Sequence, residues 1–179
     1  MFRTVDGSLG MEFFVTAYIS DRVAIVVGGA SGIGEAVVER MARDHWKVIV
    51  ADSDGNERLA QQVADNLRAS GREVSAETVD ISDEGEVAAL IEATAEFEGG
   101  LHAIVDCTNT PAAQLASLLK YGTNEISNTG GGAIVLVNDS DAVTQLASDH
   151  STAGVRVHCL HTATFRILDE VSALLPSPS

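Results

Sequence analysis

The chain has 179 residues, a formal net charge of -15 and a hydrophobic share of 45%. The acid excess excludes a nucleic-acid backbone or an anionic membrane surface as the main partner. The apolar content and mean hydropathy of +0.14 exclude a disordered chain, and the length suits one domain with a real core. Lys47 and Lys120 are the only lysines, so arginine carries nearly all of the positive charge; a high-salt habitat or a GC-rich genome would each produce that bias. Two cysteines, Cys107 and Cys159, are too few for a disulfide framework and read as reduced thiols of a cytoplasmic protein. No apolar run reaches the roughly 18 residues of a membrane helix.

Residues 1–21 read as an N-terminal extension or tail with a short apolar patch from Phe13 to Ile19, without the cleavage site of a signal peptide. "RVAIVV" (22–27) is a continuous β-branched run, as expected of a strand buried on both faces. A helix follows over 32–44, then the strand "KVIVAD" (47–52). The spacing predicts an amphipathic helix over 56–71 with Leu59, Val63 and Leu67 on its buried face and Gly71 as its stop. A strand over 73–80 is followed by a helix opened by Ser82 and running through 86–97. "LHAIVD" (101–106) is a fourth strand, and Pro111 opens a helix over 111–122. "GGAIVLVN" (131–138) is a fifth strand, 141–152 a short helix, and "VRVHCLH" (155–161) a sixth strand, with two or three helical turns in the tail. Repeated strand–helix alternation predicts an α/β, Rossmann-like, doubly wound parallel sheet in three layers with about six strands, residues 22–179 forming one domain.

In such a sheet ligands bind beyond the carboxyl ends of the strands, where the strand order reverses. The turn after the first strand carries Gly28, Gly32 and Gly34 as G-x-x-x-G-x-G and opens a helix, whose free N–H groups attract a pyrophosphate. Asp52 closes the second strand, where a carboxylate suits adenosine ribose hydroxyls and repels a 2′-phosphate, which favours NAD over NADP. Asp80, beside Ile81, closes the third strand and is either an acceptor for the adenine amino group or a turn residue.

These stretches, from "VAIVVGGASGIG" through "KVIVADSD", "VDISD" and "LHAIVDCTNT" to "GVRVHCLHTAT", resemble the short-chain dehydrogenase/reductase family over residues 22 to about 165. The resemblance implies that Gly28, Ser31, Gly32, Ile33, Gly34, Asp52, Asp80 and Ile81 hold NAD, with Val27 standing where the family has threonine. It implies a small-molecule substrate if the chain is active, and a homo-oligomer, as a dimer. The second half departs from the pattern. The family's N-N-A-G after the fourth strand is Asp106-Cys107-Thr108-Asn109, and its P-G after the sixth is Thr162-Ala163. No Y-x-x-x-K occurs; Tyr18 and Tyr121 have no lysine four residues on. The long lid and last strand of the family do not follow Phe165, and the connection from Asn109 to Ala133 lacks room for the usual pair of helices.

The serine that orients substrate in the family falls on Asp139, with Ser140 next to it. Candidate catalytic groups are therefore Asp139, Ser140 and His161, with Asp106, Cys107, His158 and Cys159 at neighbouring strand ends. No metal site is expected, because His158 and Cys159 alternate across the strand. The reading is an NAD(H)-binding member of the family with an altered or incomplete catalytic site, as an atypical oxidoreductase. The alternatives are a non-redox isomerase or cyclase reusing the pocket, a non-catalytic cofactor-binding partner protein, or a shortened product of a full-length gene.

Overall fold

A computed structural model describes residues 22–152, 154–162 and 167–176. The expected N-terminal extension, Ala163 and the segment around Phe165 lie outside the described residues. Six parallel strands form one sheet in the order β3-β2-β1-β4-β5-β6: β1 (Val23–Val27), β2 (Lys47–Asp52), β3 (Val74–Thr78), β4 (Ala103–Asp106), β5 (Gly132–Val137) and β6 (Val155–Leu160). The order reverses between β1 and β4, which pair with Val27 opposite Asp106.

Strand residues alternate between two cores, which makes the layers. Ile25, Ile49, Ile104 and Ile134 point to one face, under α3 (Glu84–Glu98), α4 (Ala116–Asn128) and α5 (Asp141–His150). Ala24, Val26, Val48, Val50, Val105 and Val135 point to the other, under α1 (Gly32–Arg43), α2 (Glu57–Ala69) and α6 (Ile167–Leu174). The central strands β1 and β4 are buried along their whole length, which is why they read as unbroken apolar runs.

Three local expectations are corrected. In α2 the buried face is Ala60, Val63 and Ala64, while Leu59 is 46% exposed; small residues let the helix lie close on the β2–β3 edge, rotating the leucine outward. The cap of α3 is Asp83, whose Oδ1 accepts from the Glu86 N–H at 3.0 Å. Ser82 does not cap it, because its N–H and hydroxyl both donate back to Asp80. After Pro111 comes a short 3-10 turn, Ala112–Gln114, and α4 then runs past Gly122 to Asn128. Gly122 is a close-approach residue and not a stop: a Cβ there would lie 2.5 Å from Ile104 Cδ1.

The tightest approach away from the site is at the start of β5. A Cβ on Gly132 would lie 2.0 Å from the His102 carbonyl oxygen, a backbone atom that cannot yield alone. Gly132→Ala is expected to lower stability by about 1–3 kcal/mol, measured by urea denaturation. An unchanged midpoint would show that β4 and β5 have slack there.

Candidate functional site

The carboxyl edge of the sheet is built around the turn from Val27 to Gly34. Gly28 (φ +74) and Gly32 (φ +58) take left-handed backbone that side chains rarely adopt. Gly34 sits in the first turn of α1, where a Cβ would stand 1.9 Å from the Gly28 carbonyl oxygen, so the helix starts in direct contact with the turn. Around Gly32 there is open space. The Glu35 N–H bonds the Ser31 carbonyl at 3.2 Å, and Gly32 and Ile33 before it fall in the first turn, whose N–H groups have no intrahelical acceptor and carry the positive end of the helix. The Ser31 side chain makes no cap bond. This cradle fits a pyrophosphate: a glycine-lined opening at a helix N-terminus.

Asp52 is 8% exposed at the end of β2. Its Oδ2 accepts from the Ala30 N–H at 3.1 Å, and its Oδ1 from the Ser53 N–H and Asn56 Nδ2, each at 2.9 Å. The carboxylate therefore fastens the glycine-rich turn to the second strand. Asp80 Oδ1 accepts from the Ser82 N–H at 2.9 Å and the Ser82 hydroxyl at 2.6 Å, and these bonds hold it below the usual carboxylate range. That geometry is a turn, and it occupies Oδ1 only. Ile81 packs against the core of the α3 face.

The other half of the edge is a polar network. Asp106 is fully buried at the end of β4. Its Oδ1 accepts from the Thr108 N–H at 3.2 Å and the Thr108 hydroxyl at 2.6 Å, and the Thr108 and Thr110 hydroxyls also bond each other. Asp106 Oδ2 has no partner among the described residues, and burial pushes the carboxyl above its ordinary value. Burial and the Asp106 charge push the adjacent Cys107 thiol up to about 12, which makes it a poor nucleophile. Asn109 has φ +53, the left-handed conformation that asparagine tolerates best after glycine.

Asn138, buried at the end of β5, donates from Nδ2 to the Thr110 carbonyl at 2.8 Å and accepts from the Ser140 N–H at 2.9 Å. Asp139 accepts from the Thr162 N–H at 2.8 Å and from the Thr162 hydroxyl, tying the end of β5 to the end of β6. These bonds hold the Asp139 carboxyl below its ordinary range, so at neutral pH it is an acceptor and a weak base. His161 Nδ1 lies 3.7 Å from Asp139 Oδ1, an exposed pair.

The structure therefore brings Asp139 and His161 together. Ser140 precedes α5 without a side-chain cap bond. Cys159 packs toward the α3–α5 core and Leu160 toward the opposite one. Burial lowers the His158 pKa and leaves its Nε2 without a partner. Among the described residues no three His, Cys, Asp or Glu side chains gather as a metal site would require. Tyr121 on α4 donates to Glu84 Oε1 at 3.0 Å beside the Lys120–Glu84 ion pair, on the exposed α3–α4 surface.

Residues 22–138 match the family model described as short chain dehydrogenase. This chain belongs to the short-chain dehydrogenase/reductase family. The match ends at Asn138, so it takes in the departure at Asp106–Asn109 and stops one residue before Asp139. The chain is 28% identical over 176 residues, 87% of its own length and 67% of the relative's, to 2,5-dichloro-2,5-cyclohexadiene-1,4-diol dehydrogenase LinX of Sphingobium indicum. Over 88 residues, 49% of this chain and 32% of the relative, it is 42% identical to (+)-borneol dehydrogenase 1 of Salvia officinalis. The fold is that of a short-chain type dehydrogenase/reductase from Mycobacterium ulcerans, with a TM-score of 0.70 at 23% identity, covering 87% of this chain and 74% of that one. Hydroxysteroid dehydrogenase from Escherichia coli superposes with a TM-score of 0.66 at 22% identity, over 79% and 70% of the two chains. Members of this family are oxidoreductases that use nicotinamide cofactors.

Sequence reasoning missed Asn56, Asn138 and Thr162, which act by holding other residues. Asn138 carried a signal, an amide next to the expected serine position; Asn56 and Thr162 carried none. Asn109, in the family's glycine position, keeps a left-handed backbone there.

Asp106 yields a pH prediction. Its folded pKa is raised, so the folded chain binds this proton more tightly than the unfolded chain. Stability therefore falls as pH rises from the unfolded carboxylate value to the folded one, and the loss persists above it. Asp106→Asn is expected to be more stable than wild type by about 1–3 kcal/mol at neutral pH, with the gap closing toward pH ~4. Thermal melts across pH check this; a gap independent of pH would show that Asp106 is not the titrating group.

Proposed function

We propose that this chain binds NAD at the turn from Gly28 to Gly34, and that it is an oxidoreductase-family protein with an altered catalytic site. The observation that carries the cofactor reading is the cradle itself: N–H groups of Gly32 and Ile33 in the first turn of α1, open space at Gly32, and the Asp52 carboxylate beside it. Ser31 supplies a hydroxyl at the same helix end, and Asp80 and Ile81 flank the adenine side. Asp52 selects NAD, since a 2′-phosphate would meet a carboxylate already committed to three N–H donors. The cofactor, when bound, supplies hydride transfer.

The chain's own proton handling differs from that of its family. No Y-x-x-x-K is present, and α5, the helix between β5 and β6, is Asp141–His150 without a tyrosine. In its place stand Asp139, Ser140 and His161. His161 offers an imidazole at the end of β6, with the Asp139 carboxylate 3.7 Å from its Nδ1. Diol and borneol dehydrogenases among the relatives make small alcohols and ketones the first substrates to test.

A second reading, a cofactor-binding protein without turnover, is favoured by the Asp139–Thr162 bonds, which occupy the carboxylate at the family's serine position. A homodimer and a cytoplasmic location with reduced thiols belong to the same proposal. Leu59 and Phe97 are the large hydrophobics exposed among the described residues, so neither α4 nor α5 offers a large apolar dimer face. No helix among these residues is long and apolar enough to cross a membrane.

NADH fluorescence titration tests the cofactor reading. Wild type is expected to saturate, Asp52→Ala to bind roughly tenfold more weakly, and the preference over NADPH to shrink in that variant. Absence of binding at millimolar NADH would sink the proposal. Given binding, alcohol-dependent absorbance change that is lost in His161→Ala supports the atypical oxidoreductase. No turnover with any alcohol or ketone supports the binding protein.

A further inference from the structure

Among the described residues the sheet ends at β3 on one side and at β6 on the other. An end strand turns half of its backbone N–H and C=O groups away from its neighbour, and a free row of them is a template for another strand. In β6 the Gly154 and Leu160 carbonyls accept from the N–H groups of Gly132 and Asn138, at 2.9 and 2.8 Å, so the even-numbered residues face β5. Val155, Val157 and Cys159 therefore turn theirs to the open edge. We propose that the turn of Ser151 and Thr152 is a strap across this edge, and that it keeps β6 from pairing with a second copy of this chain. The proposal is independent of the cofactor reading.

α5 ends at Ser151, whose backbone is already extended (φ -68, ψ 131). The Val157 N–H donates to Ser151 Oγ at 3.0 Å. That hydroxyl donates to the Val157 carbonyl at 3.1 Å, with the Ala147 carbonyl a second acceptor at 3.3 Å. The Val155 N–H donates to Thr152 Oγ1 at 3.2 Å, and the Thr152 N–H donates to the Val155 carbonyl at 2.9 Å. One residue thus satisfies both outward groups of Val157, and the next satisfies both of Val155. Only the outward groups of Cys159 stay open in β6, and a single rung is too little to dock a strand.

The two ends of the sheet need different protection. β3 carries the exposed acid Glu77, and on a chain of net charge -15 that disfavours a second β3 alongside. β6 reads "VRVHCL", which favours strand and holds no acid. Its outward positions are spaced evenly about Val157. An antiparallel copy related by a two-fold axis places Val157 opposite Val157 and Val155 opposite Cys159, each pair able to exchange both of its bonds. The bare edge is therefore self-complementary, and the strap removes two of its three rungs.

Ser151→Ala with Thr152→Val, made in the full chain, tests the strap. Both residues are exposed and neither has a positive φ, so the substitutions keep the fold. They free three of the four groups, since the Thr152 N–H still holds the Val155 carbonyl. In sedimentation velocity the double variant is expected to gain self-association about tenfold tighter than any shown by wild type. Hydrogen exchange locates it. In dilute solution the Val155 and Val157 amides should exchange about tenfold faster than in wild type. On association these two and the Cys159 amide should become protected. Val63→Ala, buried under α2 toward the other end of the sheet, is expected to lower the melting temperature without added association. A double variant that associates no more than wild type overturns the proposal. So does association that leaves the three β6 amides unprotected, or equal association by Val63→Ala, which would mean lost stability alone. Wild-type Val155 and Val157 amides that exchange as fast as that of Cys159 overturn it without any variant.

Discussion

The contact between Gly34 and the carbonyl of Gly28 sets the geometry of the carboxyl edge. With no side chain on Gly34, α1 begins against the turn that leaves β1, next to the point where the strand order reverses. Asp52 completes this by bonding the Ala30 N–H, so the first turn and the end of β2 form one unit. Any methyl at Gly34 would push the helix off the sheet, and its N-terminal turn would move with it.

The opposite half of the same edge is organised differently. Its side chains satisfy one another: Asp106 with Thr108, Thr110 with Asn138, and Asp139 with Thr162. A network of this kind stiffens the ends of β4, β5 and β6. Asp106 is the exception, a buried carboxyl with one oxygen unmatched where the family has an amide. One half of the edge is thus open and donor-rich, and the other is closed on itself. The family match, which ends at Asn138, covers the open half and the ends of β4 and β5 in the closed one.

The core was legible because its physics is local in sequence. β1 and β4 are buried on both faces and so must be apolar throughout, and each helix must carry one apolar stripe. Errors arose where a residue's neighbours come from elsewhere. Leu59 has the right spacing for a buried face, yet Ala60 and Ala64 pack closer to β2 and β3 and turn it outward. The helix expected over 111–122 runs on to Asn128 instead, because Gly122 is where α4 crosses Ile104. Ser82 looks like a cap, yet Asp80 claims its hydroxyl.

By itself, the sequence determined the doubly wound sheet, the position of the glycine-rich turn, the acid at the end of β2 and the absence of a Y-x-x-x-K pair. These follow from residue type, short spacings and periodicity. Only the tertiary structure decided that Asp139 is bound to Thr162 and that Asp106 is buried with an unmatched oxygen. Each of these joins residues distant in the chain, and burial or a hydrogen bond between such residues exists only once the strands and helices have packed.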